Sequence, residues 1–244
     1  MYPRHTVPAK RRVPGIDDSR LSVIILAAGM GKRLKSYGPK CLFGLGNKTI
    51  IERQIDTILH IFPKSDIFIV VGFESNKIRT KVKDKYPVRI VYNPIWEETN
   101  VMFSAALGLQ ALTTTNVLLI HGDLVFNAEA LYGITNRGSR LLVDTSRQLS
   151  GDEVGLIFEQ NSNLVTNISY GLPIKWGQIA YLEGKEFKTF EKVAYNYDLT
   201  SRWFLYEGLN RIIESKGRLR IHAPNGLQLE DIDTMKDLEK VKRI

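Results

Sequence analysis

Apolar residues in this chain come in short unbroken runs, separated by stretches where they recur every third or fourth position. Residues 22–28 (SVIILAA), 66–71 (DIFIVV) and 117–121 (VLLIH) are runs of the first kind, and 88–92 (VRIVY) gives a further strand. A strand covered on both faces carries apolar side chains in both directions, so these runs predict interior strands. Between them, residues 49–61 place Ile50, Ile51, Ile55, Ile58 and Leu59 at helical spacing, and 75–84 and 101–112 predict two further helices. Strands alternating with helices imply right-handed crossovers and a mostly parallel sheet with helices on both sides. This rhythm holds to about Leu142. Beyond it, residues 141–144, 153–159, 164–169 and 178–182 predict shorter strands between polar turns, a mixed or antiparallel extension of the sheet. Helices over 185–193 and 199–215, a strand over 218–222 and a helix from about Thr234 complete the reading. The expected fold is α/β, a three-layer sandwich.

Composition narrows the setting more than the fold. The 244 residues are 43% hydrophobic and 25% charged, ordinary for a globular chain. The single Cys41 cannot form an internal bridge, which points to a reducing cytoplasm. No apolar run approaches the roughly 20 residues of a membrane span. Residues 1–20, with Pro3, Pro8, Pro14 and five basic side chains, read as a flexible basic leader without the apolar centre of a secretory signal. Residues 21–244 read as one domain. The formal charge of +8 favours a polyanionic partner. It is dispersed and lacks an aromatic-basic signature, so no nucleic acid is expected.

The chemistry concentrates at strand ends. After the first strand comes Leu26-Ala27-Ala28-Gly29-Met30-Gly31-Lys32-Arg33-Leu34, and then Pro39-Lys40. Glycines there let the backbone turn sharply and present amide N–H groups to phosphate oxygens. Arg33 and Lys40 add two cations suited to a triphosphate. No Gly-Lys-Ser/Thr follows, as a Walker loop requires, and no third glycine stands at dinucleotide-fingerprint spacing. After the fourth strand comes His121-Gly122-Asp123. A carboxylate in that place can reach Mg²⁺ on phosphate oxygens, although a Gly-Asp pair is also a common turn. His121 reads as structural, because Mg²⁺ prefers oxygen. Near the C-terminus, Asp231-Ile232-Asp233-Thr234 fits either metal ligation or a helix capped by Asp233. Asn100 and Ser104 fit a helix entry or a base-reading edge.

The Gly-x-Gly-x-Arg segment, its spacer and Pro39-Lys40 resemble the signature of the sugar-phosphate and cytidylyl nucleotidyltransferase superfamily. The resemblance implies a Rossmann-like sandwich with a nucleotide-binding half over about 21–125 and an acceptor-binding half over about 126–244. It implies Arg33 and Lys40 as catalytic cations, and Leu26, Ala27, Ala28, Gly29, Gly31, Lys32, Asn100 and Ser104 around the nucleotide. It also implies Asp123, Asp231 and Asp233 as ligands of Mg²⁺. The Asp231-x-Asp233 pair and Trp203-Phe204-Leu205-Tyr206-Glu207 are similar to the phosphocholine cytidylyltransferase branch.

The stretch 168–173 lacks the Glu-Lys-Pro common in enzymes for sugar phosphates. Aromatic faces attract quaternary ammonium ions, by about 0.5–2 kcal/mol per contact. Tyr170, Trp176 and Tyr206 are therefore acceptor candidates, although core packing accounts for many aromatics. The leading expectation is transfer of CMP from CTP to a small phosphorylated acceptor such as phosphocholine. UTP- or dTTP-dependent transfer to a sugar-1-phosphate is the alternative, followed by a non-catalytic nucleotide- or nucleic-acid-binding role. A glycosyltransferase fits less well, because Gly-Asp-Leu stands where those carry Asp-x-Asp. The oligomeric state is left open, homo-oligomers included.

Overall fold

The computed structural model describes residues 18–31, 38–146, 149, 151, 153–234, 237 and 240–241. The chain runs first through β1 (Leu21–Ala27), β2 (Gly44–Leu45), β3 (Lys48–Thr49), α1 (Ile50–Ile61), β4 (Asp66–Val71), α2 (Ser75–Val82), β5 (Val88–Tyr92), α3 (Val101–Gln110), β6 (Asn116–His121) and β7 (Leu124–Phe126). There follow β8 (Arg140–Asp144), β9 (Val154–Glu159), β10 (Leu164–Tyr170), β11 (Ile174–Leu182), α4 (Gly184–Ala194), α5 (Tyr197–Thr200), α6 (Leu205–Glu214), β12 (Arg220–His222) and β13 (Leu229–Asp231).

Nine strands form one sheet in the order β5-β4-β1-β6-β11-β8-β12-β10-β9. β5, β4, β1 and β6 are mutually parallel, with β5 at the edge of the sheet and only partly buried. β11 then enters antiparallel between β6 and β8 and begins the mixed extension. Alternation along β1 sends Ile24 and Leu26 to the face covered by α3, α4 and α6, and Val23, Ile25 and Ala27 to the face covered by α1 and α2. The three-layer α/β sandwich follows from that division.

The short strands β2, β3, β7 and β13 have no counterpart in the sequence reading, and two longer elements depart from it. The helix expected over 199–215 is broken into α5 and α6. In the break, the Ser201 carbonyl accepts from the Asn100 amide at 2.8 Å and the Trp203 carbonyl from the Met102 amide at 3.2 Å. The interruption thus supplies acceptors to the amino end of α3, whose first amides lack partners inside their own helix. β11 starts four residues earlier than expected. It contains a buried lysine, Lys175, and a bulge between Trp176 and Ala180, where Gln178 has φ of 54°. Both features hide a strand from a hydrophobicity reading. The terminal helix expected from Thr234 lies largely outside the described residues.

α1 begins with a reciprocal cap between Thr49 and Glu52. Glu52 is 2% exposed and accepts from the Thr49 amide and hydroxyl, each at 2.8 Å, and from Lys85 Nζ at 2.6 Å. Burial alone would raise its pKa. The Lys85 and Thr49 hydrogen bonds, with the Lys81 charge, outweigh burial and bring it down to about 2 from 4.5. A carboxyl lowered by folding adds stability above its unfolded pKa, and that stability is lost as pH falls through the folded value. Glu52→Gln should therefore cost up to about 3 kcal/mol at neutral pH. It should also flatten the fall of Tm between pH 4.5 and about 2. Equal acid sensitivity of the two proteins in calorimetry would contradict this.

Candidate active site

The carboxyl ends of β1 and β6 lie side by side, with Leu26 opposite His121. The chain leaving β6 turns at Gly122, whose amide donates to the Leu26 carbonyl at 2.9 Å. A Cβ at Gly122 would stand 2.9 Å from both that oxygen and Ala27 Cβ, so only glycine lets the two strand ends approach this closely. Gln54 of α1 holds the turn from below. Its Nε2 donates to the carbonyls of His121 at 2.9 Å and Leu124 at 2.8 Å. Asp123 is thereby set at the mouth of the sheet, where open α/β folds receive ligands.

Gly31 and Lys40 come together across the glycine loop. Gly31 has φ of +62°, and a Cβ on it would meet Lys40 Cε at 2.9 Å, so the lysine stem lies directly on the glycine. Lys32 and Arg33 fall outside the described residues. Lys40 Nζ donates to Asp123 Oδ2 at 3.2 Å and to Asp233 Oδ1. Burial works against the ammonium charge, but Asp123 and Asp233 more than offset it and raise the Lys40 pKa. Cys41, next in sequence, is buried, and burial pushes its thiol up to about 12.

Asp233 arrives from the far end of the chain because β13 pairs antiparallel with β7, Asp231 opposite Leu124. The Ile232 amide then donates to the Asp123 carbonyl at 3.0 Å. Asp237 accepts from the amides of Asp233 and Thr234 at 3.2 and 2.8 Å, while the helix that Asp233 was expected to cap lies largely outside the described residues. Asp231 points elsewhere: its Oδ1 accepts from Lys175 Nζ at 2.7 Å and its Oδ2 from Gln178 at 3.4 Å. The expected convergence of three carboxylates is therefore divided, with two on Lys40 and the third on Lys175.

A cleft of about 740 Å³ opens over this point. Of the residues expected around a nucleotide, Leu26, Ala27, Ala28, Gly29, Gly31, Asn100 and Ser104 all line it, beside Lys40 and Asp123. Asn93, 1% exposed, donates to Thr99 Oγ1 at 3.2 Å and to Ser104 Oγ at 3.1 Å. Ser104 keeps its own hydroxyl proton for an acceptor in the cleft. Asn100 Oδ1 accepts from the Val101 amide at 2.8 Å, which leaves its NH₂ as donor. A second basin of about 820 Å³ adjoins the first and shares Asn100, Val101 and His121 with it. Tyr170, Trp176 and Tyr206, the acceptor candidates, all line this basin, together with Phe204, Glu153 and Lys175. Tyr170 stands edge-on to Tyr206 at 5.8 Å, and Phe204 stacks on Tyr206 at 6.0 Å. Trp176 is only 2% exposed and serves the core as well as the basin wall.

His121 stands edge-on to Trp176 at 5.9 Å, and burial lowers its pKa against the opposing effect of Asp123 and Asp231. A neutral imidazole here suits the structural reading. Sequence reasoning missed Gln54, Glu153, Lys175 and Gln178, and also Trp96, which lines the first cleft. A lysine inside an otherwise apolar strand was the one available signal, at Lys175.

Among the described residues no group of three or more His, Cys, Asp and Glu side chains is gathered as a metal cluster. Asp123 and Asp233 nevertheless bring two carboxylates onto one cation, the Lys40 ammonium. That donor set fits Mg²⁺, which takes one or two carboxylates and completes its shell from phosphates and water.

A parallel sheet with a glycine loop, a strand-end Gly-Asp and a basic-acidic cluster at one mouth defines a nucleotidyltransferase type of domain. Residues 23–141 match the MobA-like NTP transferase domain. Over 121 residues, 49% of the chain, it is 34% identical to the bifunctional protein GlmU of Synechococcus sp.. Over 62 residues, 25% of the chain, it is 45% identical to GlmU of Solibacter usitatus. The matched stretches cover only 19% and 13% of those relatives' lengths. In structure it is similar to a CTP:phosphocholine cytidylyltransferase from Streptococcus pneumoniae, with a TM-score of 0.75, 21% identity, and 92% and 98% of the two chains covered. An inositol-1-phosphate CTP transferase from T. maritima gives a TM-score of 0.73 at 16% identity, covering 92% and 94%. At these identities the likeness is one of fold. No helix among the described residues is long and apolar enough to cross a membrane.

Proposed function

We infer that this protein is a Mg²⁺-dependent cytidylyltransferase of the cytoplasm, which transfers CMP from CTP to a small phosphorylated acceptor such as phosphocholine and releases pyrophosphate. The observation that carries the reading is the pair of adjoining basins. One has a glycine loop and the Lys40–Asp123–Asp233 cluster, and the other is walled by Tyr170, Phe204 and Tyr206. An aromatic wall beside carboxylates favours a cationic head group.

The acceptor's phosphate oxygen attacks the α-phosphorus in line, and pyrophosphate leaves from the opposite side. A phosphomonoester with a second pKa of about 6 is already an anion at neutral pH, so no general base is needed. The obstacle is the approach of two polyanions. Lys40 offsets it by charge, and the Arg33 expected in the same loop would do so too. Backbone amides of the glycine loop orient the triphosphate. Mg²⁺ held by Asp123 and Asp233 would supply further neutralisation of the phosphate oxygens.

Pyrophosphate release measured with CTP, UTP, dTTP and GTP against phosphorylated amines, polyols and sugar-1-phosphates should be highest for CTP with a phospho-amine. A maximum with UTP or dTTP and a sugar-1-phosphate would replace this reading with the sugar-nucleotide one. With a chiral α-thio-CTP, configuration at phosphorus should invert, and retention would require a covalent intermediate.

A further inference from the structure

The floor of the aromatic basin holds a feature that phosphoryl chemistry does not itself call for. Lys175 is 2% exposed, yet it is charged and bonded to Glu153 at 2.6 Å and to Asp231 at 2.7 Å. An ammonium is costly to bury unless it is paired, and a methionine of similar length would fill the same space without that cost. The lysine therefore answers to what it holds, and it holds two carboxylates from distant parts of the chain.

Asp231 is two residues from Asp233. Between them Ile232 is 0% exposed, buried with Phe43, Leu45 and Val125, and its amide is bound to the Asp123 carbonyl. The flanking carboxylates leave the segment toward different lysines, Asp231 to Lys175 and Asp233 to Lys40. Two acid–lysine–acid clusters, Glu153–Lys175–Asp231 and Asp123–Lys40–Asp233, are thus joined by a single three-residue stretch. Each cluster lies in a different basin, one by the triphosphate cleft and one by the aromatic pocket.

We propose that Lys175 is a positioning residue: by anchoring Asp231 it sets the Asp231-Ile232-Asp233 segment, and so the place of the Asp233 carboxylate at the metal site. This rests on the reading of Asp123 and Asp233 as the carboxylates that hold Mg²⁺. Lys175 acts through the strand and links occupancy of the acceptor basin to the geometry of the nucleotide cleft. Freed from Lys175, Asp231 loses an anchor at one end of the segment, and Asp233 loses the fixed approach from which it meets Asp123.

The experiment is Mn²⁺ binding, by electron paramagnetic resonance, to the full chain with a non-hydrolysable CTP analogue. Wild-type protein should bind Mn²⁺ in that complex. If it does not, the reading of the site itself fails, and this inference with it. Lys175→Met should bind Mn²⁺ about tenfold more weakly, and its turnover should recover when the metal is raised to saturation. Asp231→Asn should shift affinity in the same direction. The double variant should be no weaker than Lys175→Met alone, because the two residues act as one unit. A folded Lys175→Met with wild-type Mn²⁺ affinity overturns the inference and leaves the site reading intact. Should Lys175→Met not fold, Asp231→Asn decides: wild-type affinity in that variant overturns it equally.

Discussion

Lys40→Ala should lower kcat by about 10²–10³-fold, the loss typical of removing one charge-stabilising donor from a transition state. The same substitution should raise the affinity of the nucleotide-free protein for Mn²⁺. The two effects have one cause. The Lys40 ammonium lies between Asp123 and Asp233 and donates to both carboxylates. Two carboxylates deprived of that cation repel each other, and a divalent ion relieves the repulsion. During the reaction, the lysine's charge serves the phosphates instead. An interaction made mainly in the transition state is lost from kcat, whereas one shared with the ground state appears in KM alone. Steady-state pyrophosphate release and a Mn²⁺ titration of the apo protein measure the two arms. Near-normal kcat with every accepted substrate pair, or weaker Mn²⁺ binding, would show that Lys40 has been given the wrong part.

Asp123→Asn is expected to raise the Mg²⁺ concentration for half-maximal rate by at least about 100-fold. Asparagine keeps the size and one carbonyl oxygen but removes the charge that a hard dication requires. The turn itself should persist, because it is held by Gln54 and by the Gly122 amide and not by the Asp123 side chain. Stability should therefore change little, since the ion pair lost is partly exposed, with the Asp123 side chain 29% accessible. Rate measured against Mg²⁺, alongside Tm, separates the two. An unchanged Mg²⁺ requirement would remove Asp123 from the metal site, and a large fall in Tm would make it structural.

The parallel half of the sheet could be read from the sequence because its information is local. Residues 66–71 are a strand at the expected boundaries, since an interior parallel strand must be apolar on both faces whatever lies beside it. The glycine loop and the Gly122-Asp123 turn were equally legible, each being a short motif at the end of such a run. Other features were set by partners remote in sequence. β7 and β13 have three residues apiece and exist because each pairs with the other. The split between α5 and α6 depends on carbonyls that serve α3. Lys175 reads as a polar residue that weakens a strand until Glu153 and Asp231 come to meet it.

The same contrast runs through the site. Spacing made Lys40, Asp123, Asp231 and Asp233 candidates, and the resemblance to nucleotidyltransferases, not composition, favoured metal binding over a turn or a helix cap for the carboxylates. They could not say which carboxylate would meet which lysine. Neighbours two apart along an extended chain look equivalent in sequence, yet packing of Ile232 into the core and its amide bond to Asp123 send Asp233 to Lys40 and Asp231 to Lys175. Local chemistry chose the residue types; the pairing of β13 with β7, formed across about a hundred residues of chain, chose their partners.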